Sequence, residues 1–299
     1  MQFVRQIVFF CTIVLPLSTS PPLRRPQISG VALVRLRVSN IDASRSFYHN
    51  TLGLYPLTQG CFSPLGVATC YHLNSAQQIE IFPSPGSTES NAVETMGFLA
   101  DAVAMRSYLL GVGVKCSQVM DGNSGFKFVE TSDPEGHRIL FISSRNMGAS
   151  LSGYPGDSHL IHAGFVVHDR AAEDRFYKDI LGFHVYWHGG MKDDETNWVD
   201  MQVPDGTDWI EYMLNVPANA DHHTLGVMNH IALGVPDIHA AQQQLIKNGW
   251  KGTEQPKIGR DGKWQLNLYD PDDTRVELME FTPVEKPCCS EYTGPHPKQ

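Results

Sequence analysis

The chain has 299 residues, six cysteines and a formal net charge of −9, with an apolar share ordinary for globular proteins. That length supports one large or two ordinary domains, and the acidic balance, without any Lys/Arg cluster, leaves no electrostatic basis for holding nucleic acid or an anionic membrane. Small molecules are the expected partners, and the oligomeric state is not legible.

In chain order, residues 1–20 (MQFVRQIVFFCTIVLPLSTS) come first, with Arg5 ahead of an apolar run from Ile7 to Leu17 and small residues at Ser18 and Ser20. This is the pattern of a secretory signal cleaved near Ser20, which implies a secreted or periplasmic protein with no membrane attachment after cleavage. An uncleaved anchor is the alternative. Cys11 would leave with the signal, so Cys61, Cys70, Cys116, Cys288 and Cys289 remain, an odd number in a compartment that permits disulfides. Cys61 and Cys70 flank FSPLGVAT, a hairpin-like loop, and are placed to pair. Cys288 and Cys289 fall in a Pro-rich stretch, 285–299, that reads as a flexible, peripheral tail.

From Val34 the sequence repeats. VRLRVSNIDASRSFYHNTLGLYPL aligns without gaps on AGFVVHDRAAEDRFYKDILGFHVY at an offset of 129, matching Phe47 to Phe176, Tyr48 to Tyr177 and Gly53 to Gly182. A second pair follows from Met105 and Ala241, ending in SDPEGHRILFI and YDPDDTRVELM. Each segment reads as an apolar strand, a capped amphipathic helix stopped by glycine, then short strands. Asp169 and Asp237 are the expected caps of the third and fourth helices; Phe176, Ile180 and Leu181 are the buried stripe of the third, Ala241 and Leu245 that of the fourth. The predicted fold class is therefore α+β, four βαβββ units in two modules, residues 27–147 and 157–284, joined by RNMGASLSGYPGDS.

Four polar residues sit inside apolar, strand-like runs: His162 in HLIHAGFVV, Glu211 in DWIEYML, His230 in MNHIALGV and Glu277 in VELMEF. A single strand histidine is more often a hydrogen-bonded core residue, and a single strand glutamate more often faces water. Two imidazoles and two carboxylates together are too costly to bury alone, and one divalent cation satisfies all four. Glu211 is the least secure, because an alternating strand could turn it outward. Among other residues, His188 is the best histidine for a pocket wall, and Trp187, Trp198, Trp209 and Tyr269 are its aromatic candidates.

HIALGVPD, FYKDILGF and YDPDDTRVELMEF resemble the vicinal oxygen chelate superfamily, which includes glyoxalase I, methylmalonyl-CoA epimerase, extradiol dioxygenases and fosfomycin-resistance proteins. The resemblance implies paired βαβββ units forming a cup, with metal ligands at His162, Glu211, His230 and Glu277. In the first half it places Leu33 and Leu140 at ligand positions, retains Glu80 and sets Glu94 near the second histidine position, so that half is expected to be a degenerate module. The donor set accepts Ni, Co, Zn, Mn or Fe(II). The resemblance further implies glyoxalase- or epimerase-like proton transfer next to a carbonyl of a chelating small substrate, with Glu277 or Glu211 as base. Alternatives are an extradiol, catechol-type dioxygenase using Fe(II) on His162, His230 and Glu277, and a non-catalytic binding or resistance protein. Against the dioxygenase, Asn267 stands where those enzymes carry a tyrosine, and no histidine falls at the expected place after Trp198.

Overall fold

The computed structural model describes residues 23–57, 61, 68–84, 92–122, 125–143 and 158–298. The expected signal segment and nearly all of the expected linker lie outside these residues. The first unit is β1 (Val31–Val38), α1 (Ile41–Arg45, continued by a π-helical turn over Ser46–Thr51), β2 (Tyr55–Pro56), β3 (Thr69–His72) and β4 (Gln78–Pro83). The second is β5 (Val93–Leu99), α2 (Ala102–Gly111), β6 (Met120–Asp121), β7 (Lys127–Ser132) and β8 (Arg138–Ser143). The third is β9 (His159–Val166), α3 (Arg170–Glu173, continued by a π-helical turn over Asp174–Ile180), β10 (His184–Gly189), β11 (Trp198–Gln202) and β12 (Trp209–Met213). A short α4 (His222–Met228) leads into the fourth: β13 (His230–Val235), α5 (Ile238–Lys247), β14 (Lys257–Ile258), β15 (Trp264–Tyr269) and β16 (Arg275–Glu280). The α+β class and the four βαβββ units are as the sequence predicts.

Each half is one eight-stranded sheet, ordered β2-β3-β4-β1-β5-β8-β7-β6 and, identically, β10-β11-β12-β9-β13-β16-β15-β14. The opening strands of paired units lie antiparallel at the centre, and each runs parallel to the last strand of its own unit. Local chemistry fixes the turns. Asn40, Asp101, Asp169 and Asp237 each accept hydrogen bonds from backbone N–H groups of the helix they precede, a cap worth about 1 kcal/mol apiece. Gly182 and Gly249 leave their helices with φ of +80° and +92°, a conformation costly for residues with a Cβ. The buried stripe of the third helix differs from expectation. Leu181 N–H reaches the carbonyl of Phe176, five residues back, so the wider turn brings Tyr177 inward and leaves Ile180 only partly covered.

The main hydrophobic core contains residues from both halves, among them Val34, Phe98, Phe165 and Phe183. Across it the halves interlock reciprocally. The Tyr48 hydroxyl donates to Asp270 and the Tyr177 hydroxyl to Asp133, both at 3.1 Å and both buried. Burial pushes the Asp270 carboxyl up to about 6, and each tyrosine adds a hydrogen bond from the other half to a carboxylate that its own half already engages through His137 or through the backbone of Asp272 and Thr274.

The tail does not hang free as expected. Residues 284–296 run along the second sheet: the Thr293 N–H donates to Tyr186 O, the Tyr292 hydroxyl to Asp261 O at 2.7 Å, the Trp187 indole to Cys288 O at 3.2 Å, and Tyr186 pairs with His296. Its aromatic residues have an apolar wall to cover, which composition alone did not reveal. Cys61 is joined to Cys70, as their flanking positions suggested, and Cys288 to Cys289. Cys288 packs against the apolar cluster that contains Trp187 and Trp209, so the pair is not peripheral.

Candidate metal centre

The centre of the second sheet is built around Gly164. Strand β13 sets His230 opposite Gly164 on one side, and β12 sets Glu211 opposite it on the other. Two residues earlier, His162 stands opposite Trp209 and Ala232, and Ala232 in turn faces Glu277 on β16. The period-2 alternation of strands therefore turns all four polar side chains to one concave face. A Cβ at position 164 would lie 2.0 Å from His230 Cε1, so only glycine leaves room for that ring.

The donor atoms converge. His162 Nε2 lies 3.0 Å from His230 Nε2, which lies 2.9 Å from Glu211 Oε2; Glu277 Oε2 is 4.0 and 3.9 Å from the two imidazole nitrogens. Ligands about 2.1 Å from a cation and at right angles to each other are about 3 Å apart, so the closest pairs have the spacing of neighbouring ligands. His230 Nδ1 donates to the carbonyl of Met228 at 3.0 Å, which leaves the lone pair on Nε2, facing the cluster. His162 has no such partner at Nδ1; its ring is held against Trp209, with centroids 4.9 Å apart.

The electrostatics agree with this donor set. Burial, helped for His162 by its neighbour His230, drives both imidazoles well below their ordinary range. Burial also pushes the carboxyls of Glu211 and Glu277 up to about 7. A divalent cation needs the neutral imidazoles that burial already favours, and by favouring ionised carboxylate it offsets the burial penalty on the two glutamates. His162, Glu211 and His230 fit such an ion, with the Glu277 carboxylate about 4 Å from both imidazoles at the edge of the group. Cation uptake at pH 6 must then displace protons from both glutamates, whereas at pH 8 they are already ionised. Affinity for Zn(II) or Co(II) is expected to fall below about pH 7, by up to ~100-fold per pH unit when two protons are released. A competition titration that finds pH-independent affinity would contradict this.

Beside the cluster opens a cavity of about 380 Å³, walled by Trp187, Trp198 and Trp209 as expected from sequence. Tyr269 is not part of that wall and instead lies against His223. His188 also falls outside it, its backbone tied to Ser290 of the tail. Three charged residues went unnoticed in the sequence. Asp200 faces Glu211 across β11 and β12, and burial raises its carboxyl well above the ordinary range. Lys263 is fully buried, its ammonium 4.4 Å from the Trp209 ring centroid and without a hydrogen-bond partner; burial lowers it, and the carboxylates of Asp261 and Asp200 oppose the shift. Arg275 lies two residues before Glu277 on β16, and its Nη2 donates to His230 Nε2 at 2.8 Å. The alternation that exposed Glu277 to the cup was the available signal for Arg275.

In the first half, sheet register equates Leu33, Glu80, Thr95 and Leu140 with His162, Glu211, His230 and Glu277. Thr95, not Glu94, takes the second histidine position, because the β1–β5 pairing is offset by one residue from the sequence alignment. Leu33 and Leu140 join an apolar cluster with Phe128 and Ile142. Gly164 corresponds to Arg35, which is buried and lies 3.4 Å from Glu80 and 3.8 Å from Glu94, its guanidinium stacked 4.4 Å over Phe82. A fixed guanidinium there meets Glu80, whose counterpart Glu211 faces the candidate cation position in the other half.

Residues 159–278 match the family model described as Glyoxalase/Bleomycin resistance protein/Dioxygenase superfamily. This span belongs to that superfamily. It holds all four candidate ligands, and both halves have the vicinal oxygen chelate fold. A variant of homoprotocatechuate 2,3-dioxygenase from Brevibacterium fuscum superposes with a TM-score of 0.60 at 18% identity, covering 87% of this chain and 73% of that one. A catechol 2,3-dioxygenase gives 0.59 at 14%, covering 85% and 93%. At such identities the likeness is one of fold. No curated protein matches the chain.

Proposed function

We propose that this chain is a metal-dependent enzyme that moves a proton next to a carbonyl of a small chelating substrate. The observation that carries the reading is Glu211, whose Oε2 reaches 2.9 Å from His230 Nε2 and completes a set of two imidazoles and two carboxylates. His162, Glu211, His230 and Glu277 would hold the ion. A divalent cation supplies Lewis acidity, polarising a carbonyl and lowering the cost of the negative charge that forms when its neighbouring carbon loses a proton.

The protein's own groups do the rest. Glu211 or Glu277, ionised beside the cation, takes the proton from carbon and returns it as general base. Trp187, Trp198 and Trp209 exclude water from the cup and present flat apolar faces to the carbon skeleton. Lys263, behind Trp209, opposes the summed negative charge of Asp200, Asp261 and the two glutamates. We place the protein outside the cell or in the periplasm, on the signal-like residues 1–20.

The second reading is the ring-cleaving dioxygenase, favoured by the two-module likeness to the homoprotocatechuate and catechol enzymes. It needs only His162, His230 and Glu277 as ligands, and Asn267 is the residue that counts against it. One assay separates the two. The metal-loaded protein should exchange solvent deuterium into the carbon next to the carbonyl of small vicinal dicarbonyls or hydroxyketones, and its Fe(II) form should consume no oxygen with catechols. Oxygen consumption without exchange selects the dioxygenase.

A further inference from the structure

Arg275 has lost the partners that its counterpart keeps. In the first half the same strand position is Arg138, which lies 3.1 Å from Glu94 and 3.2 Å from Glu130 and is neutralised between them. The register equates Glu130 with Asn267, opposite Glu277, and Glu94, at an irregularity of the β1–β5 pairing, precedes Thr95 in the chain as Asn229 precedes His230. Both carboxylates are thus replaced by amides. Asn229 is spent on the backbone, accepting from Val166 N and donating to Leu225 O. Asn267 Oδ1 is buried and has no partner.

Arg275 is left with His230 Nε2 at 2.8 Å, Glu277 Oε2 at 3.8 Å and a buried Nε that has no hydrogen bond. Both of its contacts are candidate metal ligands. When those atoms turn to a cation, the guanidinium keeps its charge, loses its acceptors and still lines the cavity. A mostly covered guanidinium whose hydrogen-bond acceptors have turned to a cation is short of partners, and an anion from outside the chain is the natural complement. Its planar fork matches a carboxylate.

Resting on the proton-transfer reading above, we propose that Arg275 binds the carboxylate of the substrate, and that the substrate class is a small carboxylic acid carrying an oxygen on the carbon next to the carboxylate. Such a molecule offers two neighbouring oxygens to the metal position and one face of its carboxylate to Arg275.

The test uses oxalate, the simplest carboxylate with a second oxygen-bearing carbon, on the full protein loaded with Co(II). Cobalt content is measured by elemental analysis and oxalate affinity by calorimetry, for the wild type, Arg275→Gln and Arg275→Lys. Expected is unchanged cobalt content in all three, oxalate binding weakened roughly 10- to 100-fold in Arg275→Gln, the range for loss of a charge-assisted hydrogen bond, and partly restored in Arg275→Lys. Equal oxalate affinity in Arg275→Gln overturns the inference, as does loss of cobalt from that variant, which would make Arg275 a support for His230. Wild-type protein that holds cobalt but not oxalate also overturns it. Wild-type protein that takes up no cobalt instead overturns the functional reading, and this inference with it.

Discussion

Replacing Gly164 by alanine is expected to weaken cation binding by at least ~100-fold while leaving the fold in place, a loss as large as any caused by disturbing the residues that orient ligands. The added methyl would meet His230 Cε1 at 2.0 Å, Nδ1 at 2.3 Å and Nε2 at 2.8 Å, so the ring must leave its position between His162 and Glu211. The clash falls on a side chain, and the extended backbone of β9 accepts alanine, so the cost to stability stays within the ~1–3 kcal/mol of ordinary overpacking. Circular dichroism and a cobalt titration on the same sample check both halves of the expectation. Arg35 at the equivalent first-half position shows the fold itself accommodating a long side chain there. Undiminished cobalt affinity in Gly164→Ala would mean that His230 does not bind through the nitrogen facing the cluster.

Removing Glu211 should cost as much cation affinity as removing Glu277, although Glu211 sits on a strand that sequence alone could have turned either way. Its carboxylate is 2.9 Å from His230 Nε2 and 3.7 Å from His162 Nε2, nearer to both imidazoles than Glu277 is. Losing one of four ligands is expected to weaken binding by roughly 100-fold or more in Glu211→Ala and in Glu277→Ala alike. A Glu211→Ala protein with unaltered affinity, beside a Glu277→Ala protein that has lost it, would leave the two-histidine, one-carboxylate set and promote the dioxygenase. The comparison is sharp because Glu80, the first-half counterpart of Glu211, is retained where the other ligand types are not; there Arg35 serves as its cation.

Much of this was legible because strands and duplications leave marks in one dimension. Phe47 and Phe176, or Gly53 and Gly182, gave away the repeat, and a histidine or glutamate set in a run of Ile, Leu and Val has few explanations. Thr95 was missed because the one-residue shift in the β1–β5 pairing is a property of the sheet and not of the alignment. Lys263 and Asp200 were missed for another reason. Charged residues in DGK or WVDMQ read as solvated until the partner strand and the covering tail bury them. The tail itself, rich in proline and lacking any periodicity, carries hydrogen bonds to β10 that only the folded sheet offers. Arg275 was readable in principle, two residues from Glu277, but its significance depended on Asn229 and Asn267, which matter only by contrast with Glu94 and Glu130.

The central claim is that the second half alone holds one divalent cation on His162, Glu211, His230 and Glu277. The most direct measurement is the cation content of the natively purified protein by elemental mass spectrometry, for the wild type and for His230→Ala. One equivalent per chain in the wild type and almost none in the variant is the predicted result; an equal content in the two proteins, or two equivalents in the wild type, would contradict it.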